Sequence, residues 1–306
     1  MDGRDYLIIL GAPKCGTTSL AGWMAQWPET AVARGKETLY FTDYTARSWT
    51  GPGAGYAAHD GGTDEGFRAR FDHAPNAALR VEASTDNLSC PLAPERIARF
   101  SRRPDVGRVR LVAVVRDPVD RIVSEFEHTL RLGWQGRSLM RSLRREPGRV
   151  ASMHNPLFWH LYRSRYAEQI ARFRRECPDL DLLILDYHRL GEPEVLRRLA
   201  CFAGRASSQI PDRLERRNAR HVVARPQAQA VLRKGALVRA GRMVVPPSLR
   251  KRVRAALLGG AAPRYEPTPR ERAFILDGLA EDIAASVADP EIPTDCWTCL
   301  DDSRVA

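Results

Sequence analysis

The chain has 306 residues, is 43% hydrophobic and carries a formal net charge of +11. This length and composition exclude a disordered chain and are typical of a globular protein with a substantial core. The positive charge is compatible with an anionic ligand, an acidic polymer or a membrane surface, and equally with a solvated arginine-rich surface.

No segment of the sequence predicts secretion or membrane insertion. The apolar run Tyr6–Leu10 meets Gly11 and Pro13 at once, so it is too short for a signal peptide or for the roughly 18 residues of a membrane span. The six cysteines are scattered, which suits a reducing compartment better than a disulfide framework. We therefore expect a cytoplasmic protein. Cys296 and Cys299 have no second pair or histidine cluster nearby, so no metal site is predicted.

Short apolar runs separated by helical patterns predict an α/β fold with a central parallel sheet flanked by helices. In chain order the predicted strands are Tyr6–Leu10, Thr30–Ala33, Ala77–Val81, Val109–Val115 and Leu182–Leu185. We expect a single domain over residues 1–306. Within it, residues 45–66 are rich in Gly, Thr and Ala and predict a mobile loop that could cover the substrate. Residues 205–306 are expected to form a mostly helical C-terminal part.

Helical spacing of apolar residues predicts the helices between and after these strands. The first follows Gly16 and ends before Pro28. A second covers residues 118–132, with Asp117 as N-cap and Pro118 at the first helical position. Further helices are predicted over residues 158–173 and around one late amphipathic stripe, which comprises Leu276, Leu279, Ile283 and Val287.

The stretch GAPKCGTTSL, residues 11–20, is a variant of a phosphate-binding loop. Gly11 and Gly16 keep the usual spacing, but Lys14 comes two residues before the second glycine and Thr17 stands where a nucleotide-binding loop has its lysine. A glycine-containing turn from a strand into a helix directs backbone N–H groups and the helix dipole toward one anion. The predicted anion-binding residues are Lys14, Cys15, Gly16, Thr17, Thr18 and Ser19.

A second stretch, LVAVVRDPVDRIVSEFEH, covers residues 111–128. Arg116 ends a buried type of strand, where ligands of open α/β sheets bind, and Ser124 lies two turns into the following helix. A guanidinium fork and a hydroxyl predict a second anion site. The alternative is that Arg116 only pairs with a neighbouring carboxylate.

Together the motifs P-K-x-G-T-T-x-L and R-D-P-x-x-R-x-x-S resemble the two donor-binding signatures of sulfotransferases that use 3′-phosphoadenosine-5′-phosphosulfate. The resemblance implies a P-loop-like sulfotransferase fold. It also implies that the first loop holds the 5′-phosphosulfate, and that Arg116 and Ser124 hold the 3′-phosphate. Lys14 would stabilise the leaving phosphate.

Further segments resemble the branch that contains the heparan-sulfate sulfotransferases and their bacterial relatives. KETLYF, residues 36–41, is similar to the K-E-x-x-F-F segment of that branch, which carries a catalytic glutamate, and this implies Glu37 as the base. VEASTDNLSCPLAPERI resembles the stretch V-E-K-[ST]-P-x-Y-L…A-x-x-R-I. Two departures are Ala83, where that branch often has a lysine, and Leu39, where a histidine or polar residue is sometimes found.

The implied reaction moves a sulfuryl group to a hydroxyl or amine of a glycan, a glycolipid or a small metabolite. No metal ion is expected, because the transferred group is singly charged and a lysine with backbone amides can stabilise it. No nucleic acid is expected either. His59 and His128 are further candidates for the base.

Two other functions compete with this hypothesis. A nucleotide-dependent kinase could use DLLILD, residues 181–186, as a strand that ends in a metal-binding Asp186. A non-catalytic module that binds polyanions could use the basic stretches at residues 216–235 and 241–255, although these contain few aromatic residues.

Overall fold

The structure is a computed structural model and describes residues 3–206, 208, 210–214 and 264–302. Its centre is a five-stranded, fully parallel sheet in the order β2-β3-β1-β4-β5. The strands are β1 (Arg4–Gly11), β2 (Thr30–Val32), β3 (Leu79–Glu82), β4 (Val106–Val115) and β5 (Asp181–Asp186). All five predicted strands are therefore confirmed, as is the α/β fold class.

Strands β1 and β4 are continuous apolar sequences because other parts of the protein cover both faces of the sheet. Residues 7–10 of β1 and 112–115 of β4 have no exposed surface. A strand with one solvated face would alternate apolar and polar residues instead. The carboxyl ends of all five strands meet at one edge, and the loops that follow them carry the predicted site residues.

Helices cover the sheet and extend beyond it within the described residues. They are α1 (Thr17–Met24), α2 (Asp64–Ala69), α3 (Ala93–Ser101), α4 (Pro118–Arg131), α5 (Leu139–Arg144), α6 (Glu146–Ala151), α7 (Tyr166–Glu176), α8 (Pro193–Phe202), α9 (Pro269–Gly278), α10 (Ala280–Ala288) and α11 (Cys299–Asp302). The prediction for α4 is confirmed together with its cap, since Asp117 Oδ1 accepts a hydrogen bond from the Asp120 N–H at 3.0 Å.

The helix predicted over residues 158–173 is wrong in its first half. Residues Pro156–Phe158 and Tyr162–Ser164 form 3-10 turns, and α7 begins only at Tyr166. Here side chains from other elements form hydrogen bonds with backbone groups that a continuous helix would use itself. Arg121 Nη2 donates to the carbonyl of His160 at 2.7 Å, and the Glu146 carboxylate accepts the N–H groups of residues 161 and 162 at 2.9 and 2.8 Å.

The late amphipathic stripe forms two helices rather than one. The helix is interrupted at Leu279, which separates α9 from α10 and whose φ of −122° is not helical. Leu279 is buried, whereas Val287, predicted on the same apolar face, is 51% exposed.

Residues 45–66 contain 3-10 turns at Ala54–Ala57 and Asp60–Gly62 and the first residues of α2. Asn155 Nδ2 holds this segment by donating to the carbonyls of Pro52 and Gly53 at 3.1 and 2.9 Å. Its mobility stays a prediction, as does the single domain. The basic stretches at residues 216–235 and 241–255 lie outside the described residues.

Candidate active site

The loop between β1 and α1 has the backbone geometry of an anion-binding turn. Gly16 lies in the left-handed region with φ 78° and precedes the first helical residue, Thr17. A Cβ atom at Gly16 would lie 3.0 Å from Leu190 and 3.1 Å from the ring of Tyr187. Glycine is therefore favoured here, and the turn leads directly into the N-terminus of α1, where backbone N–H groups point out of the helix.

Lys14 is the cation of this loop and also has a left-handed backbone, with φ 68°. Burial lowers the pKa of Lys14 to about 8, and the carboxylate of Glu125 opposes this shift. The Lys14 carbonyl accepts a hydrogen bond from Arg116 Nη1 at 3.5 Å. This contact joins the loop to the end of β4, where the second anion site is predicted.

The other loop residues differ in how far their side chains are exposed to solvent. Cys15 is fully buried, and its Sγ lies 3.9 Å from the hydroxyl of Tyr166, so its thiol points into the core. Burial raises the pKa of Cys15 to about 11, which keeps the thiol protonated. Thr17 and Ser19 are also buried, while Thr18 is partly exposed. Lys36 Nζ lies 3.5 Å from Thr17 Oγ1.

Arg116 forms an ion pair with a neighbouring carboxylate, as expected by the alternative in which this pairing is its only role. Its Nη2 lies 2.9 Å from Asp120 Oδ2, and its guanidinium stacks 4.5 Å from the ring centre of Tyr187. Its Nε is buried and has no partner among the described residues. Arg264 also pairs with Asp120. Because Asp120 already has this second cation, Arg116 can be shared with a ligand.

The remaining residue of the predicted 3′-phosphate site, Ser124, lies on α4 and is partly exposed. Asp117 fixes the start of α4 by hydrogen bonds to its own helix and to the C-terminal segment. Besides capping its own helix, Asp117 accepts hydrogen bonds through Oδ2 from the Cys299 N–H at 2.8 Å and the Thr298 hydroxyl at 3.0 Å. The C-terminal segment thus holds the helix that carries Ser124.

Glu37 lies after β2, at the same edge of the sheet as the loop. Its Oε2 accepts a hydrogen bond from the Thr85 N–H at 2.8 Å, and its Oε1 lies 2.6 Å from Lys36 Nζ. Lys36 therefore stands between Glu37 and Thr17 of the anion loop. The Glu37 side chain is 36% exposed, so a second substrate can reach its carboxylate.

A buried charge cluster centred on Glu125 of α4 is a feature that the sequence patterns did not predict. Glu125 pairs with Arg121 at 2.9 Å and with Arg163 at 2.7 Å, and Arg163 also pairs with Asp86 at 2.7 Å. His160 Nδ1 lies 3.0 Å from the Glu125 carboxylate. One signal was available: Arg121 and Glu125 stand four residues apart on the face of α4 that also carries Ile122 and Phe126, where charges are unusual.

The alternative bases have structural roles in the described part of the chain. His59 Nδ1 accepts the Gly61 N–H at 3.1 Å. His128 Nδ1 lies 2.8 Å from Arg131 Nη2, and burial together with Lys14 lowers the pKa of His128 to about 3.

Asp186, which the kinase alternative assigns to a metal ion, ends β5, and its Oδ1 accepts the His188 N–H at 2.5 Å. Over the described ranges no group of three or more potential metal ligands occurs, and no helix is long and apolar enough to span a membrane.

Residues 4–234 match the family model described as a sulfotransferase domain. Among solved structures, a sulfotransferase from Alicyclobacillus acidocaldarius is 22% identical over 92% of this chain and 95% of that chain, with a TM-score of 0.64. Mouse sulfotransferase SULT7A1, complexed with PAP, is 15% identical over 100% of this chain and 90% of that chain, with a TM-score of 0.45. No curated protein matches the chain.

The similarity to the Alicyclobacillus acidocaldarius structure, with a TM-score of 0.64, supports the fold. The TM-score of 0.45 to the mouse structure adds no support. The family match covers most of the chain, including the anion loop, Glu37 and Arg116. The kinase alternative is therefore wrong, and the predicted enzyme class is confirmed: this chain belongs to the sulfotransferase family.

Proposed function

We propose that this sulfotransferase takes its sulfuryl group from 3′-phosphoadenosine-5′-phosphosulfate. The observation that carries the proposal is the position of two separate cationic sites and one carboxylate at the same edge of the sheet. The loop of Lys14 and Gly16 would bind the 5′-phosphosulfate. Arg116 and Ser124 would bind the 3′-phosphate, with Arg116 exchanging part of its contact to Asp120 for the ligand.

In the proposed reaction, an acceptor oxygen or nitrogen attacks sulfur and the bond between sulfur and the bridging oxygen breaks. Glu37 takes the proton of the acceptor, which its exposed carboxylate can reach. Lys14 stabilises the negative charge that develops on the bridging oxygen. The products are the sulfated acceptor and adenosine 3′,5′-bisphosphate. No metal ion is needed for these steps, because the residues supply the base and the charge stabilisation.

The proposed acceptor is a glycan, a glycolipid or a small metabolite with a hydroxyl or an amine. An aromatic cluster packs around Trp49: its ring is 4.8 Å from that of Tyr44, 6.0 Å from that of Tyr56 and 5.8 Å from that of Trp159. Burial raises the pKa of the Tyr56 hydroxyl, and the carboxylates of Asp86 and Glu37 add to this shift. Tyr44, Trp49 and Trp159 are buried, so these rings pack against one another and do not present a face to an acceptor.

A cytoplasmic location is part of the proposal. All six cysteines lie within the described residues and are free thiols, which suits a reducing compartment.

A screen with sulfur-labelled donor tests this function. Glycans, glycolipids, hydroxylated metabolites and amines are offered in buffer that contains a chelator, and label in the acceptor is counted. We expect at least one class to be labelled by the wild-type protein and not by Lys14→Ala. Label that appears equally with both proteins would contradict the proposed role of the loop.

A further inference from the structure

A buried glutamate at the end of β3, Glu82, takes no part in the proposed reaction. Its side chain has no exposed surface. Among the described residues its hydrogen-bond partners are all neutral: Thr38 Oγ1 at 2.8 Å, the Ser84 N–H at 2.9 Å, the Ser84 hydroxyl, and Asn87 Nδ2 at 2.8 Å. Burying a carboxyl group without a cation costs free energy that an apolar side chain would not require. The stability of the fold therefore does not explain why a glutamate ends β3.

Two of these partners connect Glu82 to the segment that follows β2 and contains the proposed base. The Ser84 hydroxyl donates to Glu82 Oε1 and accepts the Leu39 N–H at 2.9 Å. The Thr38 hydroxyl also donates to Glu82 Oε1 and accepts the Tyr40 N–H at 3.3 Å. A hydroxyl has one hydrogen to donate, so a hydroxyl that donates to Glu82 turns its lone pairs toward other donors. The carboxylate thus sets the direction in which both hydroxyls hold the backbone.

The backbone of this segment has a conformation that needs support from its surroundings. Glu37 and Leu39 have φ angles of 70° and 57°, in the left-handed region that residues with a Cβ atom rarely adopt. Such strain persists only where surrounding contacts hold it, and it is common at active sites. The two hydroxyls that donate to Glu82 supply contacts of this kind, one of them at Leu39 itself.

Glu82 also holds the peptide that precedes a direct partner of Glu37. Glu82 Oε1 accepts the Ser84 N–H, and the next N–H along the chain, that of Thr85, donates to Glu37 Oε2 at 2.8 Å. The Thr85 hydroxyl lies 3.3 Å from both carboxylate oxygens of Glu37. Two consecutive N–H groups therefore bind two different glutamates. A rotation of the Ser84 peptide would displace the contact that orients Glu37.

We propose that Glu82 is a positioning residue for Glu37: its carboxylate fixes both the strained backbone that carries the base and the N–H group that orients it. The proposal rests on the proposed function, in which Glu37 takes the proton of the acceptor. Proton transfer requires hydrogen-bond distance, and a misplacement of about 1 Å costs about 10²-fold in rate.

Two substitutions of Glu82 test this role through turnover and product affinity. Turnover is transfer of label from sulfur-labelled 3′-phosphoadenosine-5′-phosphosulfate to an acceptor found in the screen, and affinity for adenosine 3′,5′-bisphosphate is measured by calorimetry. Glu82→Met removes the accepting oxygens at similar length, so turnover should fall by about 10- to 100-fold while product affinity is unchanged.

Glu82→Gln is the conservative variant and should rescue turnover. Its amide oxygen can accept the three hydrogen bonds of Oε1, and its NH₂ group can donate to Asn87 Oδ1, which is buried and has no partner among the described residues. Turnover should therefore stay within about threefold of the wild-type value.

Glu82→Met could fail to fold, so Ser84→Ala and Thr38→Val each remove one hydroxyl and leave the carboxylate in place. Each should lower turnover by about tenfold without loss of product affinity. Asn87→Leu is the matched control, because the Asn87 side chain donates to Oε2 of the same carboxylate and not to the segment of Glu37. Its turnover should not fall.

A positioning role acts through Glu37, whereas a general structural role does not. In a Glu37→Gln background, Ser84→Ala should therefore leave the residual turnover unchanged. A general structural role would lower the residual turnover by the same factor as in the wild-type background.

Wild-type turnover in both Ser84→Ala and Thr38→Val would overturn the proposal. An equal loss in Asn87→Leu, a loss in Glu82→Gln as large as in Glu82→Met, or an undiminished effect of Ser84→Ala in the Glu37→Gln background would overturn it as well. Wild-type turnover in Glu37→Gln alone would instead refute the base of the proposed function, and the two failures are thus distinguishable.

Discussion

Replacing Glu37 by glutamine separates the proposed chemistry from the structure that surrounds it. The amide oxygen of glutamine can still accept the hydrogen bond that the Thr85 N–H makes at 2.8 Å. The ion pair with Lys36 is lost, but its side chains are 24% and 36% exposed, and such a pair contributes at most about 1 kcal/mol. The free energy of unfolding should therefore fall by no more than about 1 kcal/mol.

Turnover should fall far more than stability. A general base contributes about 10² to 10⁴ in rate, which corresponds to about 2.7 to 5.5 kcal/mol in the activation barrier. The assay is transfer of labelled sulfate to an acceptor found in the screen, with stability measured by urea denaturation and product affinity by calorimetry. Affinity for adenosine 3′,5′-bisphosphate should be nearly unchanged.

Glu29→Gln is the matched control, because Glu29 is an exposed glutamate at the opposite end of β2. The same chemical change there should leave turnover unaltered. If Glu37→Gln kept more than about a tenth of the wild-type turnover, Glu37 would not be the base. The assignment of a base would then pass to His59 or His128, although both ring Nδ1 atoms already have hydrogen-bond partners.

Three other substitutions address the donor site. Lys14→Ala should lower turnover more than it weakens the binding of adenosine 3′,5′-bisphosphate, because its charge acts most strongly on the leaving oxygen; a change in affinity alone would make it a phosphate clamp. Arg116→Ala should cost about 2 kcal/mol in the binding of that product but little in the binding of 5′-AMP, as measured by calorimetry; equal losses would refute the 3′-phosphate assignment. Gly16→Ala should destabilise the protein by about 1 to 2 kcal/mol in urea denaturation, since its φ is 78° and its Cβ would meet Tyr187. Gly148→Ala, where a Cβ meets nothing within 4 Å, should not destabilise it, and equal effects at both glycines would contradict the argument.

The sequence predicted those parts of the structure that depend on local patterns. Apolar runs identified every strand of the sheet, and Asp117 with Pro118 identified the start of α4. Positions at the carboxyl ends of parallel strands could be assigned to one edge, because the topology brings them together. The anion loop was predicted from the spacing of Gly11, Lys14 and Gly16, and Glu37 from the resemblance of KETLYF to a family segment.

Contacts between distant segments were not predictable. The break in residues 158–165 depends on Arg121 and Glu146, which occupy backbone groups that a helix would use. The pairing of Arg163 with Asp86 spans 77 residues and leaves no pattern in either segment. The pair Arg121 and Glu125 is visible within α4, but its partners Arg163, His160 and Asp86 come from other segments that no local pattern connects to it.

The central claim is that the site binds a donor with phosphates at both the 3′ and 5′ positions. It is tested most directly by comparing the thermal stabilisation given by adenosine 3′,5′-bisphosphate and by ATP, each in buffer with a chelator. At about 100 times its Kd, the bisphosphate should add about 2.7 kcal/mol to the stability of the folded protein and raise the Tm by about 5 °C or more. ATP at the same concentration should give a much smaller shift. Equal shifts from the two ligands, or none from the bisphosphate, would contradict the account.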